Sequence, residues 1–381
     1  MHIAVVGGGA AGLAATINAA RTGAAVTVFE SQDRVGNSIK VTGDGRCNIA
    51  NAHTTADDYF NCEFVQHAFD KCSPEEAIAF LESTGLLLRE EGEGRLYPQT
   101  NKATSVIDAL RLAAARAGAK EACSKRAVSL QRENNRWKIG FEDGAQCGFD
   151  KVVLACGGRV SRSLLPNEVP FNALKPLLGP LATEAESLRG LDKVRAKCSM
   201  SCNGHTESGE ATFRAYGLSG IAAFNMTRFV SEGDVVLVDF LPEYSNEESI
   251  ELMRDRLKML QPKNWFDFTC GMLLPLVARA VLRKAGLNPD EKPVESELLA
   301  FHRVLRGFSL EVRGIGDKKL CQVHRGGVDI SAIDPHTMQL NTCPNLYVAG
   351  EMIDVDGPCG GYNLHWAWIS GIVAGRAASC D

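Results

Sequence analysis

A glycine-rich turn between a strand and a helix opens the chain and restricts its fold more than any other feature. Residues 2–6, HIAVV, predict a strand, and an Ala-rich helix follows to about Arg21. Residues 7–12 between them carry the pattern GxGxxG, and a second strand, AAVTVFE, ends at Glu30. A βαβ unit with this turn, and with an acidic residue closing its second strand, is typical of dinucleotide-binding folds.

Each part of this turn has a chemical purpose. Gly7 permits the tight turn, Gly9 lets the backbone approach a pyrophosphate, and Gly12 lets the helix pack on the strand. Glu30 can accept both ribose hydroxyls of an AMP half and would repel a 2′-phosphate, which disfavours NADP here. The free N–H groups and positive dipole end of the helix favour an anion. FAD, NAD and S-adenosylmethionine all remain candidate ligands of this unit. The predicted contacts of the turn are Gly7, Gly9, Ala10, Ala11 and Gly12.

A second glycine-rich stretch near the carboxyl end favours a flavin among these ligands. Residues 346–349 predict a short buried strand that ends at Gly350-Glu351, and Glu351 can hydrogen-bond a polyol such as ribitol. Gly360-Gly361 then open an apolar helix, whose first turn can stabilise negative charge at the flavin N1/O2 edge. A methyltransferase needs no such second element.

The predicted fold class is α/β: a Rossmann-like FAD-binding domain interrupted by a mixed β/helical inserted domain. The first part of the FAD-binding domain is predicted at 1–190, the inserted substrate or cap domain at 191–325, and the return at 326–381. Within the insertion, the helical periodicity of about 246–306 predicts a helical subdomain.

Composition excludes several classes of partner. The 41 Lys and Arg against 46 Asp and Glu give a formal net charge of −5, which disfavours nucleic acid and anionic lipid as partners. The stretch 302–325 is locally basic, with a solvated surface as its ordinary interpretation. Apolar runs stay short of the 18 residues of a membrane helix, so no membrane association is expected. Thirteen scattered cysteines without a CxxC pair predict a reducing, cytoplasmic location and no metal site.

Several motifs together resemble one family. GGGAAGLAA with VTVFE, the strand and turn DKVVLACGG, and the terminal LYVAGE resemble glutathione-reductase-like flavoproteins. More narrowly, KVTGDGRCNIAN at 40–51 and GEMIDVDGPCGGYNLHWAWISG at 350–371 are similar to the NAD(P)/FAD-dependent oxidoreductases related to aminoacetone-oxidase-like and bile-acid-associated flavoproteins. RLYPQTNKA at 95–103 and AYGLSG at 215–220 also match, so the resemblance spans nearly the whole chain.

The resemblance implies FAD as the cofactor and assigns residues to it. The glycine turn and Glu30 would bind the ADP half, and the Ala127 backbone would face the adenine. Cys156 and Gly157 form a mainly backbone position, where Cys156 replaces the usual Thr. The remaining implied contacts, from the pyrophosphate to the isoalloxazine, are Arg34, Gly36, Lys40, Gly45, Arg46, Cys47, Asn48, Gly350, Glu351, Gly360, Gly361, Tyr362 and Asn363.

Five residues are candidates for catalysis. Lys40 and Arg46 can stabilise an anionic flavin or a substrate carboxylate, or else bind a phosphate or tether their loop. Arg95, Tyr97 and Tyr216 can bind and protonate a substrate, or else contact a neighbouring domain. Cys47 stands alone, so a disulfide-reductase dithiol is not predicted.

The predicted function is that of an FAD-dependent oxidoreductase transferring a hydride between the flavin and a small organic substrate. Because no second GxGxxG follows a strand, NAD(P)H is expected to bind only transiently over the flavin, or another electron source is used. The alternative is a non-catalytic flavin-binding or RNA-associated module.

Overall fold

The chain is divided into two compact structural units. The computed structural model describes residues 1–380, apart from the side chains at 160 and 161. Unit 1 combines Met1–Lys175 with the chain from Val323 onwards, and unit 2 is Pro176–Gln322. The two cores share no residue, so each unit has its own hydrophobic interior.

Unit 1 contains most of the strands and the first six helices. Its first segment has the strands β1 (His2–Val6), β2 (Ala25–Phe29), β3 (Ala50–Asn51), β4 (Leu88–Glu90), β5 (Arg95–Pro98), β6 (Lys120–Ala122), β7 (Ala127–Glu133), β8 (Arg136–Phe141), β9 (Gln146–Phe149), β10 (Lys151–Leu154) and β11 (Phe171–Leu177), whose last two residues belong to unit 2. Its helices are α1 (Ala10–Arg21), α2 (Asn37–Lys40), α3 (Cys62–Phe69), α4 (Pro74–Ser83), α5 (Ala103–Arg116) and α6 (Ser161–Leu164).

Unit 2 is a barrel with helices. Its strands are β12 (Leu181–Thr183), β13 (Arg195–Cys202), β14 (His205–Arg214), β15 (Gly217–Ser219), β16 (Val235–Asp239) and β17 (Phe308–Ile315). Its helices are α7 (Ile221–Met226), α8 (Asn246–Leu260), α9 (Trp265–Thr269), α10 (Pro275–Ala285) and α11 (Glu295–Arg306). The strands close in the order β12-β15-β14-β13-β16-β17. The chain then returns to unit 1 with β18 (Val323–Val328), β19 (Leu346–Val348) and α12 (Tyr362–Ser379).

A parallel sheet in the order β19-β10-β1-β2-β6 carries the glycine turn. Ile3 to Val6 of β1 pair with β10 on one side and with β2 on the other. The central strands are buried on both faces, which explains their continuous apolar sequences. Three strands, β7-β8-β9, form an antiparallel meander. The predicted α/β fold with a Rossmann-like sheet is confirmed.

Helix α1 packs against α12, and small residues allow the close approach. A Cβ atom at Gly371 would overlap the Ala11 carbonyl oxygen, and one at Gly375 would overlap that of Ala15. Alanine also has the highest intrinsic helix propensity, so the Ala-rich α1 forms readily although nearly all its faces are buried. The packing brings the two ends of the chain together.

The domain boundaries differ from those expected at 190/191 and 325/326. The structure divides the chain at 175/176 and 322/323. The first boundary lies earlier because Leu181–Thr183 is a barrel strand that pairs with β15 and β17. The Pro- and Gly-rich composition of this stretch concealed the strand. The Gly- and Asn-rich segment 35–51 contains α2 and β3.

No helix within residues 1–380 combines the length and the apolar character that crossing a bilayer requires.

Candidate functional site

The glycine turn between β1 and α1 has the geometry of an anion-binding turn. Gly7 has φ +104°, and a Cβ there would overlap the Ala155 oxygen; a Cβ at Gly12 would overlap the Gly7 oxygen. At Gly9, by contrast, a Cβ would meet only Ser38 Oγ at 3.0 Å. No side chain of the described chain caps the first turn of α1, and that turn has no acidic residue. The N–H groups of Ala10 and its neighbours are therefore available to a phosphate.

Glu30 lies beside this turn. Its Oε2 accepts the Gly8 N–H at 2.9 Å, and its Oε1 accepts the Gln32 N–H at 2.9 Å. The end of β2 thus holds a carboxylate next to the helix start, where the ribose of an AMP half would require it. Ala127, the expected adenine contact, is buried at the start of β7 and lies opposite Phe141.

Gly36 and Arg34 follow β2. The Gly36 N–H donates to the Gly8 oxygen at 2.7 Å, and its φ of +85° suits glycine. This bond attaches the segment before α2 directly to the glycine turn. Arg34 forms an ion pair with Asp108 on α5.

The segment TGDGRCN at 42–48 is a strained loop. Gly43, Asp44, Gly45 and Cys47 all have positive φ values. A non-glycine residue in this region costs free energy that surrounding contacts must offset. The Cys47 side chain is fully buried, which raises the pKa of its thiol to about 11 and keeps it neutral. A neutral, buried thiol fits packing rather than nucleophilic chemistry.

Arg46 anchors this loop to β5 and its surroundings. Its Nη2 contacts both carboxylate oxygens of Glu91 at 2.5 Å, and its Nε donates to Asn101 Oδ1 at 2.6 Å. The guanidinium also lies 4.3 Å from the ring centroid of Tyr97. The Glu91 hydrogen bond raises the pKa of Arg46, and Arg46 lowers the pKa of Glu91. These contacts occupy Arg46 in tethering the loop.

The loop also meets the carboxyl-terminal glycine stretch. In the amide orientation that satisfies its neighbours, Asn48 accepts the Gly361 N–H at 3.2 Å. Gly361 has φ +101°, and a Cβ there would overlap the Ala50 oxygen. Gly360 has φ +119°. The two remote motifs GDGRCN and GPCGGYN are therefore adjacent, as a shared ligand requires.

Hydrogen bonds fix the conformation of the remaining carboxyl-terminal glycine stretch before α12. The Asn363 amide accepts the Gly357 N–H at 2.9 Å and donates to the Gly357 oxygen at 2.8 Å. The Tyr362 carbonyl accepts the Tyr59 hydroxyl at 2.9 Å. Gly350 has φ +71°, and its N–H donates to Ser370 Oγ at 2.9 Å. These bonds set the geometry that precedes α12.

Cys156, Gly157 and Glu351 lie close together after β10 and β19. The Cys156 sulfur contacts the Met352 sulfur at 3.5 Å, and burial raises the pKa of the Cys156 thiol to about 12. A Cβ placed on Gly157 would be 3.9 Å from Glu351 Oε2. Glu351 Oε1 is held by His324 on β18.

Two of the five candidates for catalysis contact each other, because the Arg46 guanidinium lies over the Tyr97 ring. Lys40 is exposed at the end of α2 and forms no ion pair within residues 1–380. Arg95 pairs with Glu93 at 3.1 Å, and Tyr97 is buried beneath Arg46. Tyr216 belongs to unit 2, where its side chain is exposed at the turn between β14 and β15.

The sequence motifs did not indicate a cluster of buried polar residues around β18. Arg325 binds both carboxylate oxygens of Asp356, at 2.7 and 3.0 Å, and lies over the Phe60 ring. Asp354 accepts the Gly326 N–H at 2.7 Å. Two aspartates within the apolar stretch MIDVDG were the available clue, because buried carboxylates need partners.

The parallel sheet, the glycine turn and the Glu30 carboxylate beside that turn define a Rossmann-type fold. The chain belongs to the HI0933-like family, since the family described as "HI0933-like protein Rossmann domain" matches residues 1–377. A 3-dehydro-bile acid delta(4,6)-reductase of Clostridium scindens is 31% identical and covers 99% of each chain. A ribosomal RNA dihydrouridine synthase of Haemophilus influenzae is 26% identical over 96% of this chain and 95% of its own.

A solved structure is also similar. The 3-ketosteroid-delta4-(5alpha)-dehydrogenase of Rhodococcus jostii RHA1 is 15% identical, covers 100% of this chain and 96% of its own, and has a TM-score of 0.49. Together, the family and its relatives confirm the predicted resemblance and the predicted class, an FAD-dependent oxidoreductase.

Proposed function

We propose that this protein is an FAD-dependent reductase that saturates a carbon–carbon double bond conjugated to a carbonyl group in a small organic molecule. The observation that carries the proposal is the approach of the two chain ends, which puts the glycine turn with Glu30 in the same unit as Glu351 and the start of α12. The names of the relatives support the reaction. A delta(4,6)-reductase and a dihydrouridine synthase both add hydrogen across such a bond.

The residues present fit FAD. The uncapped first turn of α1 would receive the pyrophosphate, and Glu30 would accept the ribose hydroxyls of the AMP half. Glu351 Oε2 would accept hydroxyls of the ribityl chain. The first turn of α12, which follows Gly361 and has no side-chain cap within the described residues, would donate N–H groups to the pyrimidine edge. When bound, FAD supplies hydride chemistry at its N5 atom.

The chain's own groups contribute binding, orientation and charge. Hydride addition to the carbon β to a carbonyl leaves negative charge on the carbonyl oxygen, and a proton then reaches the α carbon. Lys40, a cation without an ion pair in the described chain, is the candidate to stabilise that charge or a substrate carboxylate. Arg46 is assigned to loop tethering. Tyr97 lies beneath the Arg46 guanidinium, which disfavours it as the acid.

The overall reaction balances with NAD(P)H as the electron donor. One NAD(P)H and one proton are consumed, the carbon–carbon double bond becomes a single bond, and two C–H bonds form. The donor is proposed to bind transiently, since the sequence has no second dinucleotide fingerprint.

The test begins with the purified protein. We expect a yellow protein that releases FAD, identified by mass spectrometry, and that is bleached anaerobically by NADH or NADPH. Of a panel of enones, isolated alkenes, saturated ketones and amines, only the enones should restore the colour rapidly. Colourless protein that cannot be reconstituted with FAD would contradict the cofactor; rapid reoxidation by saturated ketones or isolated alkenes alone would contradict the substrate class.

A uridine within RNA is the second candidate substrate, because a relative covering 96% of this chain is named a ribosomal RNA dihydrouridine synthase. The basic stretch 302–325 speaks against it, since three of its cations are paired internally: Arg306 with Asp239, Arg313 with Glu311, and Arg325 with Asp356. A filter-binding titration with ribosomal RNA at increasing salt distinguishes the two. Salt-dependent binding, with dihydrouridine formation, would favour RNA.

We also propose a reducing, cytoplasmic location. Within residues 1–380 no disulfide bond joins any of the thirteen cysteines, and Cys147, Cys270 and Cys380 are exposed. Thiol titration of protein isolated with rapid alkylation should therefore recover unoxidised thiols; stable disulfides would contradict the location.

A further inference from the structure

We propose that His324 is a positioning residue for FAD: it holds one oxygen of Glu351 so that the other faces the cofactor. This inference rests on the proposed FAD site, and it adds a residue that the sequence motifs did not indicate.

Two nitrogen atoms of His324 contact the same carboxylate oxygen of Glu351. Its backbone N–H donates to Glu351 Oε1 at 3.0 Å, and its imidazole Nδ1 lies 3.2 Å from the same oxygen. An Nδ1–H tautomer makes the second contact a donated hydrogen bond as well. The other oxygen, Oε2, is the one that lies near Gly157, the turn after β10. Oε1 thus has two contacts with His324, which leaves Oε2 for a hydroxyl.

Glu351 needs such an anchor. It belongs to a 3-10 helix of only three residues, Gly350–Met352, and its side chain is 39% exposed. A free glutamate side chain loses rotamer entropy when it is ordered. If His324 orders the carboxylate beforehand, FAD binding does not have to meet that cost. The His324 side chain is only 15% exposed, so it is itself well fixed.

Strand β18 directs the side chains of His324 and Arg325 to different partners. Successive side chains of a strand point to opposite faces. His324 accordingly contacts Glu351, whereas Arg325 contacts Asp356. Removing the imidazole therefore leaves the buried Arg325–Asp356 pair in place.

Three variants of the full chain test the assignment. His324→Asn can retain a side-chain donor near the position of Nδ1, whereas His324→Leu fills a similar volume without one. His336→Leu is the matched control, because His336 is exposed in the same unit and contacts the ring of His67. FAD affinity is measured by fluorescence titration of deflavinated protein, and the melting temperature of each cofactor-free variant is measured beside it.

We expect His324→Leu to weaken FAD binding about tenfold, the loss of one hydrogen bond to a charged group. His324→Asn should restore most of the affinity, and His336→Leu should match the wild type. In a double-mutant cycle, His324→Leu should weaken binding much less when Glu351 is already replaced by Gln.

Equal affinities of wild type and His324→Leu would overturn the positioning role while leaving the FAD site intact. Additive losses in the cycle, or a lower melting temperature without a change in affinity, would also overturn it. A wild-type chain that binds no FAD would overturn both this inference and the proposed function.

Discussion

Single carboxylates and cations decide what this site can bind. Glu30 and Glu351 are both held by backbone N–H groups, those of Gly8 and His324. Such bonds orient a carboxylate before a ligand arrives. Arg46, a cation that the sequence offers equally to substrate and to loop, is committed to Glu91. The residue type alone did not distinguish these uses, because they depend on partners that are distant in sequence.

Replacement of Glu30 by Gln should weaken FAD binding. The amide keeps one acceptor oxygen but loses the charge that strengthens hydrogen bonds to the ribose hydroxyls. We expect a rise in Kd of about tenfold or more, measured by fluorescence titration. Glu133→Gln, on an exposed hairpin beside Lys138, is the control and should bind FAD normally. An unchanged Kd for Glu30→Gln would place the ribose elsewhere.

Arg46→Met should reduce stability in a pH-dependent way. Arg46 lowers the pKa of Glu91 below its ordinary value of 4.5, so the pair contributes stability above that value and loses it as the pH falls through the lowered pKa. The variant should therefore melt below the wild type at neutral pH, and the two curves should converge in acid. A melting difference that does not vary with pH would contradict this account.

At the level of elements, the contact between α1 and α12 holds the site together. It depends on glycines at 371 and 375, where any Cβ would overlap the backbone of α1. Helices pack this closely only where the side chains between them are minimal, and the cost of a larger residue is strain in both helices. The geometry of the glycine turn is thus coupled to a helix more than 300 residues away in sequence.

Gly371→Ala should destabilise the fold by about 1–3 kcal/mol, the usual cost of overpacking a core. Because α1 must shift, the FAD affinity should fall as well. Chemical denaturation of the cofactor-free protein measures the first effect and fluorescence titration the second. Gly148→Ala is the control, since a Cβ on this exposed glycine of β9 has no neighbour within 4 Å. Equal effects of the two substitutions would contradict the close packing.

The helix α12 also carries a buried histidine that should make stability pH-dependent. His365 is fully buried between the Pro74 and Asn51 backbones, and burial lowers its pKa from 6.5. The unfolded chain therefore binds a proton more readily, so stability should fall as the pH drops below about 6.5. Denaturation curves of His365→Gln should lack this component, whereas those of His336→Gln should keep it. A wild-type stability that is flat across this range would contradict the prediction.

Over the whole molecule, two separate cores predict two folding units. Unit 2 has a closed six-stranded barrel, which leaves no open sheet edge, and its own buried cluster that includes Phe213, Trp265 and Phe301. Residues 176–322 should therefore fold alone, with a cooperative melt and dispersed amide resonances. A fragment that begins at 191, the start expected from the sequence, and ends at 322 lacks β12 and should melt at a lower temperature. Equal stability of the two fragments would contradict the role of β12.

Much of unit 1 could be read from local sequence. Turn sterics, capping and periodicity act over a few residues, so they are visible in the local sequence. They predict the βαβ unit at the start, helix α4 with its Ser73 cap and Pro74, and helix α5. The boundary near 175 could not be read in this way. The strand β12 has only three residues, and its identity depends on partners 30 to 130 residues further along the chain.

The same distinction applies to the candidate site. Glycines 7 and 12 and the acid at 30 were readable in the linear chain, because a tight turn before a helix excludes side chains by local sterics. Three side-chain pairings could be identified only from the folded structure. They are the ion pair of Arg46 with Glu91, the contact of His324 with Glu351, and the buried ion pair of Arg325 with Asp356. Hydrogen bonds and ion pairs of this kind join segments that are far apart along the backbone, so their partners are selected by packing and by the need to satisfy buried charge.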